Sequence, residues 1–173
     1  MNTLLPELKM PLEVKRQVLC WFSCTDQRSA IDFLPSNFPI FIWEHEKNKI
    51  FYGFPDLGNG VKMAIHHRGL LTTAATIDRT IHVGETDELS MLLHKYFEGQ
   101  WMLKNASVCM YTNTPDEDFI IDHYPGYPNI IIASPCSGHG FKFSSAIGYI
   151  LAAMVREETL PFDITPFSLQ RFS

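Results

Sequence analysis

Near the C-terminus, Ser137-Gly138-His139-Gly140-Phe141-Lys142-Phe143 stands between the apolar run Asn129 to Ser134 and a helical pattern. That is the context of an anion-binding helix N-terminus. Gly138 and Gly140 carry no Cβ, so backbone can approach a ligand closely, and exposed N–H groups with the helix dipole favour negative charge. Lys142 adds a full positive charge. Phe143 takes the third glycine position of a dinucleotide fingerprint, and no further strand with an acidic ribose ligand follows, so the turn is not a complete Rossmann signature. From spacing alone, an ordinary strand-to-helix connection accounts for the same glycines equally well.

Two other positions could do chemistry. Lys62 lies in VKMAIHH, where alternation would put Lys62, Ala64 and His66 on one strand face. A lysine beside a histidine is a candidate site; the bare pattern favours the solvated face of an edge strand. Cys109 lies in SVCMYTNT, where a lone cysteine usually acts as a small buried hydrophobe and is nucleophilic only if its surroundings favour the thiolate. Tyr52 and Tyr111 are, by composition alone, ordinary amphipathic strand residues. The spacing of Cys20 and Cys24 suits core packing. The four cysteines form neither a dense disulfide framework nor paired zinc ligands, and the seven histidines contain no H-E-x-x-H, which implies a reducing cytoplasm and no metal.

The elements that must hold these residues are short. Val14 to Ser23, Phe38 to His45, Lys49 to Pro55 and Val61 to His67 read as strands. Glu46-Lys47-Asn48 and Asp56 to Gly60 supply turns between them, so consecutive antiparallel hairpins follow. Arg68 to Arg79 shows no period. Thr86 reads as the N-cap of a helix with Asp87 and Glu88 in its first turn and Leu89, Leu92, Leu93, Tyr96 and Phe97 along one face, stopping near Gly99. Asn105 to Thr112, Asp118 to His123 and Asn129 to Ser134 read as further strands. Ile147, Ile150, Leu151, Met154 and Val155 mark a helix opening near Ser144 or Ser145. The expected class is α+β: a mainly antiparallel sheet with helices on one side, followed by a C-terminal strand-turn-helix.

With 173 residues, 46% of them apolar and 19% charged, the chain has the profile of one ordinary globular domain. Its net charge of −5 and scattered basic residues argue against nucleic acid and anionic lipid as partners. The charge-free stretch Phe143 to Val155 is shorter than the roughly 18 to 20 apolar residues that span a bilayer. Pro6, Glu7 and Glu13 interrupt what would be a signal peptide.

Three segments carry a family resemblance: FYGFPDLGNGVKMAIH (Phe51 to His66), CMYTNTPDEDFIID (Cys109 to Asp122) and SGHGFKFS (Ser137 to Ser144). Together, in order and spacing, they resemble the monomeric sarcosine oxidase and N-methyltryptophan oxidase family of FAD-dependent amine oxidases. The likeness runs across essentially the whole chain, from Met10 to Gln17 through to the closing DITPFSLQRF. It implies FAD held covalently by Cys109, with Met110 and Tyr111 beside it. It places Gly138, His139, Gly140, Phe141 and Lys142 at the pyrimidine end of the flavin, with Lys142 also binding a substrate carboxylate. Lys62 would promote oxidation of the flavin by O2, while Tyr52, His66 and Tyr111 would line the substrate cavity. The implied reaction oxidises a secondary amine such as an N-methyl amino acid to an imine and reduces O2 to hydrogen peroxide.

The same resemblance makes residues 1–112 the substrate and catalytic portion and residues 113–173 the C-terminal portion of an FAD-binding domain. The family's opening G-x-G-x-x-G segment for the ADP moiety is absent from this sequence, so an N-terminal half or companion chain is an expected partner, and an uncovered terminal unit would self-associate. Trp43 and Pro135-Cys136 depart from the family pattern, Trp43 at a position near the substrate cavity. Two alternatives stand beside this reading: an inactive binding module, and an oxidase of cyclic or sugar-linked secondary amines.

Overall fold

The computed structural model describes residues 6–172. The chain forms two compact units, one spanning Val14–Met110 and the other joining the described residues up to Glu13 to those from Tyr111 onward. Both are mixtures of short helices and antiparallel strands, giving the α+β class.

The first unit is built on a five-stranded sheet of β1 (Glu13–Cys24), β2 (Phe41–Glu46), β3 (Lys49–Phe54), β4 (Val61–Ile65) and β5 (Trp101–Asn113). Its strand order is β2-β3-β4-β1-β5. The hairpins expected from the turn residues form, with β2 antiparallel to β3 and β3 to β4. Asp56 fixes the second turn: its carboxylate accepts from the N–H groups of Gly58 and Gly60 at 2.7 and 2.8 Å. Gly60 has φ +95°, and a Cβ there would lie 2.6 Å from the Phe22 carbonyl oxygen, so glycine is required. Strand β4 then pairs with β1 on its other side, which makes it an interior strand and not the edge strand that its Lys62/His66 pattern suggested.

One face of this sheet is covered. A one-turn helix α1 (Gln27–Ala30) follows β1, and α2 (Asp87–Tyr96) lays Leu89, Leu92 and Leu93 on Cys20, Phe22, Phe51, Val61 and Met63. Each large side chain fully buried here contributes about 1.5–3 kcal/mol. Rings of Phe33, Phe38, Phe41, Phe97 and Trp101 extend this core in edge-to-face and tilted pairs. Thr86 occupies the N-cap position of α2, but its backbone is already helical and its side chain makes no cap bond. Asp87 and Glu88 complement the helix dipole instead.

The aperiodic stretch after β4 is ordered by one buried guanidinium. Arg16 donates to the carbonyls of Asp78 and Thr80 and to both oxygens of Glu85. A hydrogen-bond pattern reaching more than sixty residues along the chain leaves no local periodicity to read.

In the second unit, β6 (Ile120–Tyr124) and β7 (Tyr127–Ser134) form an antiparallel hairpin, and β7 leads through a turn into α3 (Ser144–Val155). Phe119 and Ile121 pack with Ile147, Ile150 and Met154 of α3; Met10, Ile120 and Ile132 form a second cluster with Leu169 and Phe172. Asp122 ties down the closing segment by accepting from the Ser168 hydroxyl and the Leu169 N–H, and Arg171 pairs with Asp116. No helix among the described residues is long and apolar enough to cross a membrane.

Candidate functional site

The strand register places two rows of side chains on the sheet face opposite α2. Ile42, Tyr52, Ala64 and Leu19 form one, and Phe54, Lys62 and Trp21 the other. The neighbouring β4 residues Val61 and Met63 point the other way, at 2% and 0% exposure. Around Lys62, period-two alternation thus separates a buried face from a half-buried one that carries the reactive groups.

Lys62 is at the centre of this second face. Its Nζ lies 5.5 Å from the centroid of the Trp21 ring and 5.1 Å from that of Phe54. Such contacts are worth about 0.5–1 kcal/mol each where partly solvated. Among the described residues no carboxylate forms an ion pair with Lys62 and no acceptor takes a hydrogen bond from it. Tyr52 sits edge-on to His66, with ring centroids 5.6 Å apart, and His66 continues the β3–β4 hairpin by donating its N–H to the Ile50 carbonyl. The positive φ of His67 ends the extended run immediately afterwards.

Cys109 is on β5 between Val108, which is buried, and Met110, which is half-buried. Burial pushes its thiol above the ordinary cysteine range, and the Lys62 ammonium opposes that rise. Cys20, on the covered face, has no such neighbour and is pushed up to about 11 by burial. The Cys109 sulfur is therefore half-accessible and under the influence of a cation, unlike a buried structural thiol.

The second group of expected residues belongs to the other unit. Ser137 and Gly138 take positive φ after β7, and the Ser137 N–H donates to the Thr112 carbonyl at the end of β5. Tyr111 packs directly on the turn: a Cβ on Gly138 would come within 2.4 Å of its ring. A Cβ on Gly140 would collide with the Pro135 carbonyl oxygen. Both glycines therefore serve close packing within the turn as well as backbone exposure. His139 stacks on Phe119 and its Nδ1 bonds the Ser137 carbonyl. Phe141–Phe143 form a single 3-10 turn ahead of α3, so the helix proper opens at Ser144, as its periodicity indicated. The N–H groups of Gly138, Gly140, Phe141 and Lys142 have no acceptor among the described residues. Four unsatisfied donors beside an exposed lysine make a surface suited to an anion.

The structure thus gathers Lys62, Tyr52, His66 and Cys109 in one unit, and Tyr111, Gly138, His139, Gly140, Phe141 and Lys142 in the other, without Trp43 on the lysine face. Trp43 is paired with Phe51 and stacks against Phe51 and Tyr96 on the covered face. Trp21 and Phe54 were not legible as site residues. Alternation gives their face within a strand, but only the register across β1, β4 and β3 shows that both flank Lys62.

Residues 2–154 match the family described as FAD dependent oxidoreductase. The chain belongs to that family. It is 40% identical over 169 residues to the monomeric sarcosine oxidase of Bacillus sp. (strain NS-129), covering 95% of this chain and 43% of the relative. It is 35% identical over 174 residues to the N-methyl-L-tryptophan oxidase of Citrobacter koseri, covering 99% of this chain and 45% of the relative. The chain therefore spans less than half the length of these curated relatives. Among solved structures, it superposes on NikD, an unusual amino acid oxidase essential for nikkomycin biosynthesis, with a TM-score of 0.68 at 17% identity, covering 97% of this chain and 45% of that one. It also superposes on fructosyl amine:oxygen oxidoreductase (Amadoriase I) from Aspergillus fumigatus with a TM-score of 0.67 at 17% identity, covering 94% and 39%. These two likenesses establish the fold.

The residues present fit FAD in two respects. A half-accessible thiol feels the charge of a lysine that no carboxylate among the described residues neutralises, and a glycine turn offers N–H donors without a described acceptor to negative charge.

Proposed function

We propose that this chain is the C-terminal part of an oxidase that converts secondary amines, of the N-methyl amino acid class, to imines and passes the electrons to O2, giving hydrogen peroxide. The observation that carries this reading is Lys62, a cation on an interior strand of the half-buried sheet face, between two aromatic rings, whose charge favours the Cys109 thiolate. Similarity to sarcosine and N-methyltryptophan oxidases over nearly the whole chain supports the substrate class.

When bound, FAD supplies the two-electron oxidation of the amine and is returned to its oxidised form by O2. Cys109 would hold it covalently, and Met110 and Tyr111 would adjoin it on β5. Lys62 provides a fixed positive charge for dioxygen as it accepts its first electron, a pre-organised stabilisation that needs no rearrangement of solvent. Tyr52 and His66 line the space for the amine. The N–H groups of the Gly138–Lys142 turn meet negative charge on the cofactor, and Lys142 takes the substrate carboxylate. Hydrolysis of the imine formed from an N-methyl amino acid releases formaldehyde and the parent amino acid. The remaining length of the relatives corresponds to an N-terminal part that supplies the rest of the cofactor site, and the working compartment is the cytoplasm.

Helix α3 supports the need for such a partner. It contains no charged residue, and Tyr149 and Val155 are exposed on it at 52% and 72%. An apolar helix with an uncovered side favours association, so the isolated chain should sediment as more than a monomer.

The direct test is expression with FAD followed by acid precipitation, comparing the chain with its Cys109→Ala variant. Yellow colour in the precipitate of the first and not the second is expected. Flavin released entirely into the supernatant would rule out covalent attachment by this chain. In the whole protein, peroxide production from sarcosine and N-methyl-L-tryptophan is measured next, and absence of peroxide with every secondary amine offered would remove the oxidase reading.

A further inference from the structure

Lysine is a poor residue for placing charge accurately, because its four-carbon stem is flexible and its ammonium is strongly hydrated. The usual remedy is a carboxylate partner, which fixes the ammonium but neutralises it. Lys62 has no such partner among the described residues. It has instead a ring on each adjacent strand, Trp21 on β1 and Phe54 on β3, both its direct register partners. Directly paired residues hold their Cβ atoms roughly 4.5–5.5 Å apart, so the three side chains rise from the sheet as a row with the cation in the middle.

We propose that Trp21 and Phe54 are positioning residues that bracket the Lys62 ammonium between two aromatic rings, fixing its place while leaving its full charge available. The attraction of a cation to a ring quadrupole restrains position without transferring or cancelling charge. Neither ring belongs to the buried aromatic cluster around Phe33, Phe51 and Phe97 on the opposite face, and both are only half-buried, so core packing does not explain them. Phe54 is itself held edge-on by Tyr52, with centroids 6.2 Å apart, and Tyr52 meets His66 in the same way. The bracket on Lys62 thus continues into the residues assigned to the amine.

The consequence for O2 rests on the oxidase reading above; the bracket does not, and the test separates them. Reductive methylation with a carbon-13 label keeps lysine charged and reports its surroundings by NMR, with Lys62→Met identifying the signal. In the full chain the Lys62 signal is expected upfield of the other lysines and broadened by restricted motion. Trp21→Leu and Phe54→Leu should each move it towards the exposed lysines, and both should slow alkylation of Cys109. Trp21→Phe, which keeps a ring, should restore most of the shift. A Lys62 signal unchanged in both leucine variants overturns the bracket, whatever the enzyme does. If Trp21→Leu does not fold, Phe54→Leu and Trp21→Phe answer the same question from opposite sides. In the FAD-loaded whole protein, the leucine variants should slow flavin reoxidation by O2 roughly two- to tenfold, with the amine KM unchanged in Trp21→Leu. A bracket confirmed by NMR together with wild-type reoxidation in Lys62→Met would uphold the positioning and remove the assigned role of Lys62 in oxidation.

Discussion

The two faces of the five-stranded sheet are made by the same strands, yet they differ in almost every physical respect. Towards α2 they present Cys20, Phe22, Phe51, Val61 and Met63, all at 2% exposure or less, and this face has the contacts that hold the unit together. Away from α2 they present Trp21, Tyr52, Phe54 and Lys62, all half-buried, with the lysine charge unpaired by any described carboxylate. One residue of register separates the two sets. Stability and chemistry are therefore assigned to alternate positions of one backbone, and a substitution should affect mainly one or the other.

The sharpest way to break this contrast is at Phe51, which is fully buried among Phe41, Trp43 and Tyr96. Phe51→Ala should cost about 3–5 kcal/mol in denaturant unfolding. Next comes Glu85, whose carboxylate is 25% exposed and is held by the buried Arg16 guanidinium below its ordinary value. Glu85→Gln should cost about 1–2 kcal/mol near neutral pH, discounted for that exposure. Because the folded-state pKa is depressed, this contribution is complete above the unfolded value of about 4.3 and is lost as pH falls through the folded one. Wild type and Glu85→Gln should therefore converge in stability on acidification, and a gap that widens there would contradict the assignment. Lys62→Met should change stability by less than about 1 kcal/mol, the scale of its ring contacts, while slowing alkylation of Cys109. A loss comparable to that of Phe51→Ala would abolish the distinction between the faces. Smallest of all, Thr86→Ala should shift the thermal midpoint little, at a few tenths of a kcal/mol, since α2 is held by its buried leucines and not by a side-chain cap.

Local chemistry was readable where it decides the structure. The strands around Val14 to Ser23 and Lys49 to Pro55, the Asp56 to Gly60 turn and the helix opening at Ser144 follow from β-branched runs, turn residues and spacing, and each lies within a few residues of its expected place. Strand order was not readable. Lys62 on an edge strand and Lys62 on an interior strand have the same sequence, and only pairing with β1, some forty residues upstream, distinguishes them. Strand β5 begins at Trp101 and not at Asn105, because Lys104 is an exposed strand residue whose polarity hid the extension. Thr86 has the right type for a cap but a backbone angle that prevents the bond. The SGHGFKFS and CMYT segments could be located by resemblance, whereas the packing of Tyr111 on Gly138 depends on a contact between distant parts of the chain.

The interior position of β4 has a kinetic consequence. A strand hydrogen-bonded on both sides cannot fray by itself, so its amides around Lys62 should exchange with solvent only through unfolding of the whole unit. The edge strand β2, with Ile42 exposed at 68% and only one neighbour, can open far more readily. Sequence change and breathing motion at the margin of the sheet can alter what enters this face while Lys62 rides on one of its interior strands.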